Sequence, residues 1–196
     1  MAEIQRYPFS KDALNDLRDN AFAAGNWPLV YVLSDEKHGR AYIGETTDTL
    51  TRMSTHLKHD EKQLLTAVHL ITSEYFNKSA TLDVESLLIK YMAADGKYTL
   101  LNGNLGLADH NYYQRSALYE EVFREVWNRL IAKGVVSRTL DHLDNSDVFK
   151  YSPYKSLSFD QRQGLLTILH ELTNPGVQNI VVEGGAGTGK SVLAIF

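Results

Sequence analysis

Apolar and polar positions follow their clearest pattern between Asn26 and Leu107. Leu29-Val30-Tyr31-Val32-Leu33 and Arg40-Ala41-Tyr42-Ile43-Gly44 are β-rich runs separated by the polar Ser34-Asp35-Glu36-Lys37-His38-Gly39, which predicts a hairpin. Asp48 then offers a helix N-cap, with Leu50, Met53 and Leu57 on one side of the helix that follows. At about 100° per residue, Arg52 and His56 share a face beside that apolar stripe rather than in it. A linking helix is expected around Asp60 to Leu65, a third strand over Thr66–Ser73, and a largely apolar helix over Thr81–Met92. Strands and helices in this order predict an α+β domain.

One carboxylate interrupts the last helix. Asp83, Ser86 and Lys90 gather on its polar side, whereas Glu85 falls among Leu88, Ile89 and Met92. Burying an unpaired carboxylate costs several kcal/mol, so Glu85 requires a cation, a hydrogen-bonding partner or a raised pKa. A divalent metal and a structural ion pair with Arg52 answer that requirement equally well.

On the N-terminal side, Ala13, Leu14, Leu17 and Ala21 suggest an amphipathic helix laid against the sheet. On the C-terminal side, Ser116–Lys133 reads as a helix with Ser116 as cap, an apolar face from Leu118 to Ile131, and a stop at Gly134. Val135–Tyr154, with the turn signal Ser152-Pro153, is expected to be an ordered linker. Three segments result: 1–110 as an α+β domain with its N-terminal helix, 111–154 as a helical connector, and 155–196 as the opening of another domain.

The third segment carries a phosphate-binding motif. Asn179-Ile180-Val181-Val182-Glu183 reads as a short buried strand and Ser191-Val192-Leu193-Ala194 as a helix start. Between them, Gly184-Gly185-Ala186-Gly187-Thr188-Gly189-Lys190-Ser191 satisfies G-x-x-x-x-G-K-[ST]. Gly184, Gly187 and Gly189 let backbone N–H groups face phosphate oxygens, while Lys190 and Ser191 would reach the terminal phosphates and Mg²⁺. The acidic strand that an ATPase also needs does not fit within Val192–Phe196. The expectation is the N-terminal part of a longer ATP-dependent protein, with ATP and Mg²⁺ as ligands of the full-length chain only. Upstream, Leu157–Leu172 is expected to be a helix capped by Ser158. Its Gln161 and the spacing to the phosphate loop resemble superfamily 1 helicases, in which a glutamine so placed reads the adenine edge.

Composition narrows the classes further. The 196 residues are 43% hydrophobic and contain no cysteine, which excludes disulfides and thiolate metal sites and fits a cytoplasmic protein. No apolar run approaches the roughly 20 residues needed to span a bilayer. The net charge of −4 gives no broad basic footprint for nucleic acid. Phosphate binding would need a local patch such as Lys58, His59 and Lys62 near Arg52, although a solvated helix face is the favoured reading of those residues.

Six features in order resemble the GIY-YIG endonucleases over roughly Pro28 to Gly106. Tyr42-Ile43-Gly44 is an intact second half-signature, and Leu29-Val30-Tyr31 is a first half-signature that keeps the tyrosine without the glycine. Arg52 and His56 follow at the family's spacing, Glu85 stands where the family places its metal ligand, and Asn102 where its final active-site asparagine is expected. The resemblance implies a small three-stranded antiparallel sheet flanked by helices and hydrolysis of DNA with Mg²⁺ or Mn²⁺. In that reading Glu85 holds the metal, Arg52 offsets charge on the phosphate, and Tyr31 is the base toward water. Tyr42 or His56 orients that water or takes its proton, and Asn102 holds the surroundings in place. A catalytically inactive DNA-docking module, or a regulatory module of an ATP-dependent helicase, is the alternative. DNA is the expected partner; no membrane association is expected.

Overall fold

The computed structural model describes residues 2–102, 118–146, 167–168, 171 and 179–183. The chain divides into two compact units, Met1–Leu143 and Asp144–Phe196.

A five-stranded sheet organises the first unit. Its strands are β1 (Glu3–Pro8), β2 (Leu29–Asp35), β3 (Arg40–Thr46), β4 (Ala67–Thr72) and β5 (Thr99–Leu100), in the order β1-β4-β2-β3-β5. All pairings are antiparallel except the short parallel one between β3 and β5. The three strands expected from the sequence are its centre, and the expectation of only three is corrected at both edges. β1 escapes notice because an edge strand buries little: of Glu3 to Pro8 only Ile4 is buried, and Pro8 argues against a central strand. β5 is two residues long.

The hairpin forms as expected, with Leu29 opposite Thr46 and an unbroken ladder to Asp35 opposite Arg40. Leu29, in the place of the absent glycine, is an ordinary buried strand residue. β2 is buried along its whole length, as its continuous apolar run requires of a strand covered on both faces. One face packs Leu29, Tyr31, Leu33, Val68 and Leu70 against Phe9, Leu17, Ala23 and Met53. The alternate residues Val30, Val32, Ile43 and Ile71 are equally buried. α3 (Lys78–Asp95) packs on β2 and β3, and the Arg124–Ala132 helix packs on β1.

The expected N-terminal amphipathic helix is not formed. Two 3-10 turns, Asp12–Leu14 and Asp16–Asp19, precede a single helical turn, α1 (Ala21–Ala24). Asn20 causes the break: its backbone is extended and its side chain accepts from Phe22 N and Ala23 N, restarting the chain as a new N-cap. Ala13 and Leu17 still reach the core from the turns. α2 (Thr49–His56) starts at Asp48, whose Oδ1 accepts from Thr51 N at 3.1 Å. The expected linking helix shrinks to a 3-10 turn at Lys62–Leu64. α3 is longer than expected, capped by Asn77 and ended by Gly96 at φ 74°, a conformation that favours glycine.

Leu118–Phe123 is π-helical and continues into the Arg124–Ala132 helix, which stops before Gly134 as expected. The Ser116 cap lies outside the described residues. In the second unit, Thr167, Ile168 and Glu171 are helical, within the expected Leu157–Leu172 helix. Residues 179–183 are a correction: no strand forms there, and Val181 and Val182 are 78% and 39% exposed. An apolar strand persists only where neighbours pair its backbone and cover its faces, and among the described residues none does so for 179–183. Gln161, Gly184, Gly187, Gly189, Lys190 and Ser191 lie outside the described residues. Among the described residues no helix is long and apolar enough to cross a membrane.

The outer edge of β3 is completed by a side chain. Thr99 N donates to Gly39 O and Leu101 N to Ala41 O, and at the next step Asn102 replaces backbone with its amide. Its Oδ1 accepts from Ile43 N at 3.0 Å and its Nδ2 donates to Ile43 O at 2.8 Å. Asn102→Ala leaves both Ile43 groups without these partners, and a loss of about 1–3 kcal/mol in urea unfolding is expected. A midpoint equal to wild type would mean that water replaces the amide at no cost.

Candidate active site

Cross-strand register brings the site together. Tyr31 stands opposite Gly44, and Leu33 opposite Tyr42, so both tyrosines project from the same face. Tyr31 lies directly over Gly44. A Cβ placed on Gly44 would sit 2.3 Å from the Tyr31 hydroxyl oxygen and 2.5 Å from Cζ, far inside van der Waals contact. Glycine is therefore required by the ring across the strand pair, not by backbone conformation.

Two polar groups meet at the Tyr31 hydroxyl. Arg52 Nε donates to it at 3.1 Å, and His56 Nε2 lies 2.7 Å away. A guanidinium can only donate, so the tyrosine oxygen accepts from Arg52, and its own single proton is free to be donated to His56 Nε2. Donation in that direction goes with a neutral imidazole whose proton is on Nδ1. Burial, assisted by the charges of Lys62, Arg52 and His59, pushes the His56 pKa down to about 3. The imidazole is thus a neutral acceptor near pH 7. Burial also raises the Tyr31 pKa well above its usual value, with the Arg52 hydrogen bond and charge opposing.

The sequence placed Arg52 and His56 on one face beside the core, and the structure separates them in depth. Arg52 is exposed, whereas His56 is 2% exposed, packed 5.7 Å from Tyr31 and 5.1 Å from Tyr42 between ring centroids. Tyr42 is half-buried, 6.4 Å from Tyr31 by the same measure. Burial raises its pKa too.

Glu85 reaches the other side of β3 from α3. Burial first, then the neighbouring Glu45 carboxylate, raises its pKa to about 7, against the influence of Arg52, Lys78 and the Glu45 backbone N–H. The expected alternative of an ion pair with Arg52 is not formed: among the described residues no cation lies within 4.0 Å of the Glu85 carboxylate. Glu45 itself is tied to Lys78 at 2.5 Å and accepts from Thr81 Oγ1 at 3.3 Å. No three metal-ligating side chains converge among the described residues. A half-buried carboxylate without an ion-pair partner fits a hard divalent cation, which takes carboxylate oxygens and waters as ligands.

Sequence reasoning missed Glu45 and favoured a solvated face for Lys62 over its place in a phosphate-binding patch. Glu45 directly follows Tyr42-Ile43-Gly44, so adjacency to the motif was an available signal. Lys62, expected on a solvated face, is half-buried with its ammonium 3.6 Å from the centroid of the Tyr42 ring. It arrives from a 3-10 turn, where no periodic pattern announces it. Tyr31, Tyr42, Arg52 and His56 form one connected cluster. Asn102 brackets Ile43 between Tyr42 and Gly44, and Glu85 approaches at the level of Glu45.

A sheet edge that gathers two tyrosines, an arginine and a neutral histidine, with a carboxylate nearby, offers donors to an anion, a proton acceptor and a ligand for a cation. The GIY-YIG catalytic domain matches the chain over residues 28–98. This match indicates a nuclease, a class generally dependent on a divalent metal, and it reaches no residue of the phosphate-loop segment. No curated protein and no solved structure matches the chain.

Gly44→Ala is expected to displace Tyr31 from His56 and to cost about 1–3 kcal/mol of stability through overpacking. Thermal unfolding and the His56 imidazole NMR signals check it; unchanged signals would mean that the ring shifts without breaking the bond. A second expectation follows from the raised Glu85 pKa. The folded state holds a proton that the unfolded chain releases from about pH 4.5 upward, so this group's contribution to stability is lost as pH rises to about 7. In metal-free protein, Glu85→Gln should therefore be at least as stable as wild type at pH 8 and lose that advantage at pH 4. His56 acts oppositely, losing stability as pH falls from 6.5 toward 3 in both proteins, so only the difference between them isolates Glu85.

Proposed function

We propose that residues 1–110 form a metal-dependent DNA endonuclease that hydrolyses phosphodiester bonds. The observation that carries this reading is the bonded chain Arg52–Tyr31–His56 seated over Gly44 within the matched region. Arg52 is exposed enough to leave the tyrosine hydroxyl for a phosphate and there offset charge building on its oxygens. Its departure uncovers Tyr31, which is fully buried while Arg52 lies on it. Water then meets a hydroxyl that lies 2.7 Å from a neutral imidazole, which takes the tyrosine proton when its Nε2 is unprotonated. Tyr31 accepts the water's proton as it passes its own to His56, so no free tyrosinate forms and the raised Tyr31 pKa ceases to be an obstacle.

Tyr42 walls the same pocket and packs on His56, and Asn102 fixes the strand between the tyrosine and the glycine. Glu85 would hold the divalent ion, with Glu45 beside it. When bound, that ion supplies Lewis-acid polarisation of the phosphate and neutralises charge on the leaving oxygen. Glu85 must be ionised for this role, so metal affinity and cleavage rise with pH through about 7.

For 155–196 we propose the opening of a P-loop ATPase similar to helicases, with Gln161 at adenine and Gly184, Gly187, Gly189, Lys190 and Ser191 at the phosphates. Residues 111–154 then connect it to the nuclease. DNA cleavage would then be coupled to ATP-driven translocation. The motif at 184–191 supports this reading.

Nicking of supercoiled DNA with Mg²⁺ or Mn²⁺ at low salt tests the nuclease. Wild type should nick, and Arg52→Ala and Glu85→Gln should each lower the rate by about 10²-fold or more. DNA bound by wild type but left uncut would favour the inactive docking module instead.

A further inference from the structure

Arg52 and Lys62 come from different elements, α2 and the turn after it, and converge on the same tyrosine pair. Arg52 bonds Tyr31, and the Lys62 ammonium lies on the Tyr42 ring. Among the described residues neither has a carboxylate within 4.0 Å. What sets these two apart is their convergence: Arg52 bonds the hydroxyl of one tyrosine while Lys62, half-buried, lies on the ring of the other. The two charges also oppose each other. Burial and then Arg52 lower the Lys62 pKa, so the fold holds this ammonium where it is electrostatically disfavoured. Two cations without ion-pair partners on one aromatic wall form a local positive focus, complementary to a ligand with more than one negative charge.

We propose that Lys62 is a second substrate-contacting cation, holding a non-bridging oxygen of a DNA phosphate adjacent to the one that Arg52 engages. The inference rests on the nuclease reading and adds the residue that sets where the neighbouring phosphate lies. The Tyr42 face restrains the ammonium, so the flexible lysine stem is partly ordered before DNA arrives. A contact of this kind is made in the ground state and kept through the reaction, so it acts on substrate binding rather than on the chemical step.

The test uses the full chain and fluorescently labelled duplex DNA. Binding is measured without metal across a salt series, and cleavage with Mg²⁺, for wild type, Lys62→Met, Lys62→Arg and Lys11→Met. Methionine keeps the apolar stem over Tyr42 without the charge, and Lys11 is an exposed lysine outside the site. Lys62→Met should flatten the slope of log K against log salt by about 0.9, the loss of one phosphate contact. It should also raise KM several-fold with kcat nearly unchanged, while Lys62→Arg restores the slope and Lys11→Met matches wild type.

A wild-type slope in Lys62→Met, in a chain that still binds and cuts DNA, overturns the inference and leaves the nuclease reading standing. So does a fall in melting temperature with the slope intact, which marks Lys62 as a structural strap on Tyr42. A wild-type chain that neither binds nor cuts DNA overturns both.

Discussion

The contact between the Tyr31 ring and Gly44 is the constraint on which the site depends. It fixes the hairpin register, because a slip of one residue would set a side chain under the ring and turn Tyr31 to the opposite face. It fixes the hydroxyl at the depth where His56 is shielded from water and Arg52 is not. Fully buried yet bonded to an exposed guanidinium, Tyr31 links the core of the sheet to its surface. Neutrality of His56 follows from the same depth, since an imidazolium there would lack solvation and would face two cations.

Charge is arranged asymmetrically about β3. On one side stand Arg52 and Lys62 without carboxylate partners; on the other, Glu85 and Glu45 share a single nearby lysine. Each half is costly by itself, and each cost has the sign that a phosphate with its cation would relieve. Arg52 still favours the ionised Glu85, but burial and Glu45 outweigh it. The closeness of the second carboxylate is one reason why Glu85 titrates near neutrality.

Much of this was legible in the residues. The hairpin, the Asp48 cap and the Glu85 anomaly all follow from local rules: β-rich runs around a polar turn, a capping side chain, a carboxylate on an apolar arc. Elements settled by tertiary packing were not. β1 buries one side chain in six and has no periodicity to betray it, although it forms a full edge of the sheet. The apolar spacing of Ala13, Leu14 and Leu17 imitates a helix, yet Asn20 hydrogen-bonds the next turn and breaks the segment. At the site, residues bound to a motif spacing were readable, whereas Lys62 reaches Tyr42 by chain reversal. The depth of His56 was equally hidden, because helical periodicity gives an angle around an axis and not a distance into the protein.

Asn102 ends the outer ladder of β3 with a primary amide, and in sequence it is followed by Gly103. An asparagine before glycine is chemically perishable, since the next backbone nitrogen can attack an amide that no side chain screens. Hydrolysis to a carboxylate would replace the donor facing Ile43 O with a second acceptor, setting two oxygens against each other beside Tyr42 and Gly44. The two hydrogen bonds that align the strand also immobilise the amide and hold it back from that attack. The molecule's chemical lifetime is thus tied to the same pair of contacts that keeps its sheet edge straight.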